Sequence, residues 1–179
     1  ATPAPLIAIS DTVSQRLSKA IQLPTISAST HFDSLAFRRL DTLLVESFPL
    51  VDSFLDKMKL NDFATILKWQ GKNPNLTPVL LTGHMDVVPA EEASFAQWQR
   101  PPFSGTIESG YIWGRGTLDD KSAVLGILEA TEYLLNEDYI PERTIYFAFG
   151  HDEEVSGKHG AKAIAQFFQK QGIRFEYVM

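Results

Sequence analysis

Histidine and carboxylate side chains of this sequence fall in three short clusters that could bind a metal ion or move a proton. The first cluster is Gly83-His84-Met85-Asp86, which directly follows an apolar segment ending at Thr82. In an extended chain, positions i and i+2 lie on the same side, so His84 and Asp86 should share one face. Imidazole is a zinc ligand, and a metal-bound histidine commonly needs a nearby carboxylate that fixes its tautomer. A buried histidine that is hydrogen-bonded to a neighbouring acid would have the same spacing.

The second cluster, Gly114-Arg115-Gly116-Thr117-Leu118-Asp119-Asp120-Lys121, lies between a predicted strand and a predicted helix. A dinucleotide-binding fingerprint needs glycine where Asp119 stands, and a P-loop needs glycine where Asp120 stands, so both phosphate motifs are excluded. Carboxylates at a helix N-terminus stabilise the helix and would repel a pyrophosphate. They would attract a divalent cation, although simple helix capping would also explain them.

The third cluster is Gly150-His151-Asp152-Glu153-Glu154, just after an apolar segment that ends at Phe149. Adjacent glutamates in a turn are usually solvated surface groups. Close to a metal ion, however, two neighbouring carboxylates can divide the work, because one binds the metal and the other takes a proton from metal-bound water.

The three clusters are too far apart in sequence to form a local metal motif. His84 and Asp119 are separated by 35 residues, as are Asp119 and Glu154. Each cluster follows a predicted strand, and the chemistry of α/β folds lies beyond the carboxyl ends of the strands. Their combination therefore predicts a metal-dependent hydrolase whose site is assembled by the fold.

The elements that must position these clusters are predicted from the spacing of apolar residues. Helices are expected over residues 6–21, 33–48, 121–135 and 158–171. Strands are expected over 54–60, 63–69, 78–83, 106–107, 111–113, 143–149 and 173–179. The alternation of strands and helices in the second half of the chain predicts an α/β architecture.

Composition excludes several other classes of protein. The chain has 179 residues, a formal net charge of −6 and no cysteine. Disulfide scaffolds, thiolate zinc sites and a cysteine nucleophile are therefore ruled out. The acidic balance argues against a nucleic-acid binder, and no apolar run approaches the roughly 18 residues that a membrane span needs. Neither a secreted or periplasmic nor a cytoplasmic location is favoured.

The sequence resembles the co-catalytic di-zinc peptidase and amidohydrolase family. Three motifs carry the resemblance, GHMDVVP, PPFSG with WGRGTLDDK, and GHDEEVSG, and it extends from Leu17 over nearly the whole chain. The family includes aminoacylase, carboxypeptidase S, acetylornithine deacetylase and succinyl-diaminopimelate desuccinylase. Trp98, Trp113 and the GHDEE motif look most like the carboxypeptidase S branch, which contains Gly-X carboxypeptidases and N-acyl-amino-acid hydrolases.

The resemblance implies a role for each candidate residue. His84 is similar to the terminal ligand of one zinc ion, Asp119 to the carboxylate that bridges two zinc ions, and Glu154 to the ligand of the second. Asp86 resembles the acid that supports the catalytic centre, and Glu153 the general base that takes a proton from the zinc-bound water. The family pattern has five ligand positions, and this chain supplies three of them.

The resemblance also implies a three-layer α/β/α sandwich around a mixed sheet, with the hairpin of residues 54–69 at or near one edge. Residues 1–179 are expected to be the N-terminal part of the catalytic domain, truncated before the lid and dimerisation domain and with no second domain. The last strand, 173–179, would then present an exposed edge that favours self-association.

The implied reaction is hydrolysis of an amide bond next to a free carboxylate, in dipeptides or short peptides. This fragment alone is expected to bind zinc weakly or not at all and to show no measurable hydrolysis. Deacylation of N-acyl amino acids is the enzymatic alternative, since both reactions cleave the same type of bond. A non-catalytic α/β binding or scaffold module is the alternative from another class, and it should not hold two equivalents of zinc.

Overall fold

The computed structural model describes residues 10–28 and 31–179. Its strands are β1 (Ser27–Ala28), β2 (His31–Phe32), β3 (Asp56–Leu60), β4 (Ala64–Trp69), β5 (Val79–His84), β6 (Thr106–Glu108), β7 (Tyr111–Trp113) and β8 (Ile145–Gly150). Its α-helices are α1 (Asp11–Ile21), α2 (Ser34–Ser47), α3 (Pro49–Phe54), α4 (Lys121–Asn136) and α5 (Ala161–Lys170). None of the helices in the described ranges is long and apolar enough to cross a membrane.

Four strands form a mixed central sheet in the order β3-β4-β8-β5. The β3–β4 and β4–β8 pairs are antiparallel, whereas β5 and β8 are parallel. The β3–β4 hairpin lies at one edge, as the sequence predicts. Asn61 and Asp62 make its turn with φ values of 49° and 68°, a conformation that asparagine and aspartate tolerate better than most residues.

Each face of the sheet has its own apolar core, because successive side chains of a strand point to opposite faces. On one face, Leu67, Phe147 and Phe149 pack against α1 to α4 in the larger cluster of buried residues. On the other face, Ile66, Leu80 and Ala148 pack against Ile164 and Phe168 of α5. The predicted three-layer α/β/α sandwich is therefore confirmed.

Several element boundaries differ from the sequence-based expectation. The first helix begins at Asp11, and the part predicted over residues 6–9 lies outside the described residues. Pro49 does follow the end of α2, but it also occupies the first turn of α3. A backbone N–H in the first turn has no partner within the helix, so proline costs no hydrogen bond there. The last helix begins at Ala161 rather than 158, because the preceding residues form a loop that is hydrogen-bonded to Asp152.

The predicted final strand over residues 173–179 is too long. Only its last residues run parallel to β5, with hydrogen bonds from Leu80 N to Tyr177 O (3.2 Å) and from Met179 N to Leu80 O (3.0 Å). Phe175 instead packs on Phe168 of α5, with ring centroids 4.8 Å apart. The outer side of this segment is exposed at Tyr177, Val178 and Met179.

Candidate metal centre

The parallel pairing of β5 and β8 brings two of the three clusters together. His84 at the end of β5 is the register partner of Gly150 at the end of β8. Asp119, from the second cluster, lies on the loop that leads into α4, and its peptide bond to Asp120 is cis. One potential ligand atom from each of His84, Asp119 and Glu154 lies within 4.8 Å of the others.

Two acids hold the His84 ring at its two nitrogens. Nε2 lies 2.8 Å from Oδ1 of Asp119. Nδ1 lies 3.1 Å from the carbonyl oxygen of Asp86 and 3.4 Å from its Oδ1. Burial alone would lower the pKa of His84, but the hydrogen bonds to Asp86 and Asp119 outweigh it and raise the pKa to about 9. Nδ1 is thus held in place, and Nε2 faces the carboxylate with which it would share a cation.

Asp86 is fully buried and connects the histidine to the paired glutamates. Its Oδ1 accepts the backbone N–H of Glu153 at 3.2 Å, and its Oδ2 accepts that of Glu154 at 3.0 Å. Burial would raise the pKa of Asp86, but the hydrogen bonds from His84 and from these two amides lower it. With its oxygens occupied in this way, Asp86 orients the groups around it.

The two glutamates lie in a short 3₁₀-helix, Glu153–Val155, directly after β8. Oε2 of Glu153 is 3.9 Å from Nε2 of His84, and the side chain is more than half exposed. Glu154 faces Asp119, and burial together with this neighbouring charge raises the pKa of Glu154. The carboxylate of Glu154 therefore faces the donor cluster, and that of Glu153 remains open to solvent and to a substrate.

Two residues next to Asp119 also take part in the site, although the sequence suggested no ligand role for them. Oδ2 of Asp120 accepts the backbone N–H of His84 at 3.1 Å, and burial raises the pKa of Asp120. Lys121 is only 1% exposed, and its Nζ donates to the carbonyls of Ala20 (2.9 Å) and Leu23 (2.6 Å). Burial lowers the pKa of Lys121 to about 7.

Sequence reasoning missed the role of Asp152. Its carboxylate accepts the backbone N–H groups of His159 and Gly160, each at 2.7 Å, and so ties the glutamate turn to the start of α5. The neighbouring His151 is buried within an aromatic cluster of Phe32, Phe37 and Phe63, and burial lowers its pKa. The position of Asp152, just after a buried strand, was a signal that it has a role. Its hydrogen-bond partners, however, are known only from the fold.

The donor set suits a divalent metal ion. One imidazole nitrogen and two carboxylates converge, and no lysine or arginine forms an ion pair with either carboxylate in the described ranges. Zinc accepts such nitrogen and oxygen ligands, and its histidine ligands are usually oriented by a second acid, as Asp86 does here. His84, Asp119 and Glu154 are thus the residues that would hold the metal.

A groove of about 1040 Å³ opens beside this cluster. His84, Asp120 and Glu153 are among its polar lining residues, together with Thr82, Gln169 and Arg174, whereas Ile164, Phe168 and other apolar side chains make up most of the lining. The groove lies between α5, the sheet and the last residues of the chain. A mostly apolar cavity with a few convergent polar groups is typical of a small-molecule site.

The sequence of the second half of the chain defines its family. Residues 80–179, more than half of the chain, match the model of peptidase family M20/M25/M40, so the chain belongs to this family, whose members are metal-dependent. The resemblance seen in the sequence is therefore confirmed.

Two relatives and one solved structure illustrate the similarity. "Probable carboxypeptidase S-like 2" of Dictyostelium discoideum is 42% identical over 172 residues, which are 93% of this chain and 33% of the relative. N-fatty-acyl-amino acid synthase/hydrolase PM20D1 of Xenopus tropicalis is 41% identical over 168 residues, 92% of this chain and 32% of the relative. The metallo-carboxypeptidase Sso-CP2 of Sulfolobus solfataricus shares the fold, with a TM-score of 0.73, 22% identity, and coverage of 95% of this chain and 37% of that one. The chain thus spans about a third of the length of these proteins.

Proposed function

We propose that residues 1–179 form the N-terminal part of the catalytic domain of a zinc-dependent hydrolase that cleaves an amide bond next to a free carboxylate. The observation that carries the proposal is the convergence of His84, Asp119 and Glu154 within 4.8 Å. Family membership supports a metal-dependent hydrolase. By analogy with the family pattern, two zinc ions would share Asp119, with His84 on one ion and Glu154 on the other.

The chain's own residues supply orientation and proton transfer. Bound zinc would lower the pKa of a coordinated water molecule and polarise the carbonyl of the amide. Glu153 is the general base, since its exposed carboxylate lies 3.9 Å from Nε2 of His84 without taking a place in the donor set. Its Oε2 accepts a proton from water and later returns it to the leaving nitrogen. Asp86 fixes the position of the His84 ring relative to the glutamate turn.

Two substrate classes fit this bond type. Dipeptides and short peptides would correspond to carboxypeptidase S-like relatives, and N-acyl amino acids to the PM20D1 relatives. The apolar groove beside His84 and Glu153 favours the second class, because an aliphatic acyl chain would bury its surface against Ile164 and Phe168. We therefore propose N-acyl amino acids as the preferred substrates and Gly-X dipeptides as the alternative.

This chain alone should bind zinc weakly. Each zinc ion would have two protein ligands among the described residues, whereas catalytic zinc normally has three and a water molecule. Asp119, Asp120, Glu153 and Glu154 would also place several negative charges around one site. We expect no measurable hydrolysis by the 179-residue chain, and self-association through the exposed edge of residues 176–179.

The test compares metal content and turnover. The purified chain is incubated with excess zinc, dialysed, and analysed for bound metal, then assayed against N-acyl amino acids and Gly-X dipeptides. A chain extended to the length of its relatives, assayed in parallel, should hold two equivalents of zinc and turn over at least one substrate class. An extended chain that folds but holds no zinc would instead indicate a non-catalytic scaffold. Turnover by the 179-residue chain within tenfold of the extended one would contradict the ligand assignment.

A further inference from the structure

A segment made of the last two residues of α1 and the residues that follow them contacts all three clusters of the candidate metal centre. We call this segment, residues 20–27, the brace. Ala20, Ile21, Thr25 and Ser27 are buried in it. It lies outside residues 80–179, which match the family model. Its contacts are made through one buried polar side chain for each cluster.

The first contact reaches the Asp119 loop. Lys121 directly follows Asp120, and its Nζ donates to the carbonyls of Ala20 and Leu23 at the start of the brace. The loop also packs against Ile21 of the brace, because a Cβ added to Gly116 would lie 3.7 Å from Cδ1 of Ile21 and 2.8 Å from Cγ1 of Val87, and Gly116 has a φ of 89°. Only glycine allows that backbone conformation and approach without strain.

The second contact reaches the His84 cluster. Oγ1 of Thr25 donates to the carbonyl of Met85 at 2.6 Å, and Met85 lies between His84 and Asp86. The backbones pair as well, with Val87 N donating to Thr25 O at 3.0 Å and Ser27 N to Val87 O at 3.2 Å. The brace therefore holds this loop through side-chain and backbone hydrogen bonds.

The third contact reaches the glutamate turn. Oγ of Ser27 donates to the carbonyl of His151 at 2.8 Å. His151 leads into the turn in which Glu153 and Glu154 donate their N–H groups to Asp86. One short segment thus bonds to the loops that carry His84, Asp119 and Glu154, which are otherwise far apart in the sequence.

We infer that the brace is a positioning element of the metal centre and that Thr25 and Ser27 are its positioning residues. A metal site needs its ligands held to within about 0.5 Å by a supporting shell. Thr25 and Ser27 are 0% and 2% exposed, so their hydrogen bonds are shielded from competing water. The inference rests on the proposed function only for the measurement of metal affinity, and not for hydrogen exchange.

Hydrogen exchange tests the inference without a metal. In Thr25→Val and Ser27→Ala, the amides of Glu153 and Glu154 should exchange about tenfold faster relative to the amides of β4, the change expected from losing one buried hydrogen bond. Thr131→Val is the matched control for the threonine, because Thr131 is equally buried and its Oγ1 donates to Ile127 O at 2.8 Å within α4. The control should leave the ratio unchanged.

The serine substitution has its own control. Oγ of Ser18 donates to the carbonyl of Gly105 at 2.6 Å, away from the three clusters, so Ser18→Ala should not change the exchange ratio. Thr25→Ser keeps the hydroxyl and should restore the wild-type ratio. If Thr25→Val and Ser27→Ala change the loop amides no more than the controls do, the inference is overturned.

A metal titration supplies the second readout. In the extended chain, Co²⁺ absorption should show affinities lowered roughly tenfold in Thr25→Val and Ser27→Ala, the lower end of what outer partners contribute, and unchanged in Thr131→Val. If the extended chain without substitutions binds no Co²⁺, the proposed function is in doubt, while the exchange data still decide the inference. If the variants fail to fold, hydrogen exchange in the unmodified chain decides. The amides of Ser27, Val87, Glu153 and Glu154 should then share one free energy of opening. Separate free energies would refute the role of the brace.

Discussion

The carboxylate of Asp86 accepts the backbone N–H of Glu154 at 3.0 Å, although 68 residues separate them. The same carboxylate accepts the N–H of Glu153 and lies against Nδ1 of His84. A single buried acid therefore sets the relative position of the histidine and both glutamates.

The two glutamates should respond differently to the same substitution. In the extended chain, which we propose to be catalytically active, Glu153→Gln should leave zinc content and substrate binding nearly unchanged and lower kcat by about 10²–10⁴, the usual contribution of a positioned general base. Glu154→Gln should instead lose zinc, because it removes a charged ligand. Metal analysis and steady-state kinetics of both variants measure this, and the reverse pattern would exchange the two assignments.

Asp86→Asn should weaken metal binding while the donor set remains intact. An amide offers one acceptor oxygen where Asp86 offers two, so one of the N–H groups of Glu153 and Glu154 would lose its partner. The loss of an outer acid commonly lowers metal affinity by about 10–100-fold. Titration with Co²⁺ gives the affinity.

A matched control for this substitution is Asp33→Asn. Asp33 accepts the N–H of Ala36 at 3.0 Å as the N-cap of α2, and asparagine caps a helix about as well as aspartate. This variant should bind Co²⁺ like the unmodified chain. Equal affinities in both variants would show that Asp86 does not support the centre.

Lys121→Met should destabilise the chain. The substitution keeps the length of the side chain but leaves the buried carbonyls of Ala20 and Leu23 without their donor. We expect the free energy of unfolding to fall by about 1–3 kcal/mol, as measured by denaturant titration. Lys57→Met is the control, because Lys57 forms a partly exposed ion pair with Asp52 at 2.9 Å and should lose less than about 1 kcal/mol.

Val178→Lys should reduce self-association of the 179-residue chain. Val178 is 60% exposed in the segment that pairs with β5 at one edge of the sheet, where its side chain also borders the groove, and a lysine in an edge strand opposes strand addition. Sedimentation velocity over a range of concentrations should show less dimer or larger species than the unmodified chain. Ile140→Lys changes a similarly exposed residue in a loop and should leave association unchanged; an equal effect would indicate general surface hydrophobicity.

The sequence predicted the elements well where one local signal dominated. The predicted hairpin within residues 54–69 and the predicted helices over 33–48 and 121–135 each depend on neighbouring residues, and the structure has them as β3–β4, α2 and α4. The predicted strand over residues 173–179 was too long, because Phe175 is drawn into the packing around α5. That contact is with a residue of α5, so the alternation of side chains within residues 173–179 does not predict it.

The sequence by itself determined the residue types of the candidate site. A histidine, a pair of aspartates and a pair of glutamates after apolar strands indicated metal chemistry, because only certain groups bind metals and carboxyl ends of strands meet at one edge. Only the tertiary structure decided which atoms meet. The 2.8 Å approach of His84 to Asp119, the two amides on Asp86 and the brace hydroxyls of Thr25 and Ser27 arise between segments whose separation no local pattern encodes. Such contacts follow from the packing of β5, β8 and α1, and that packing depends on the whole chain at once.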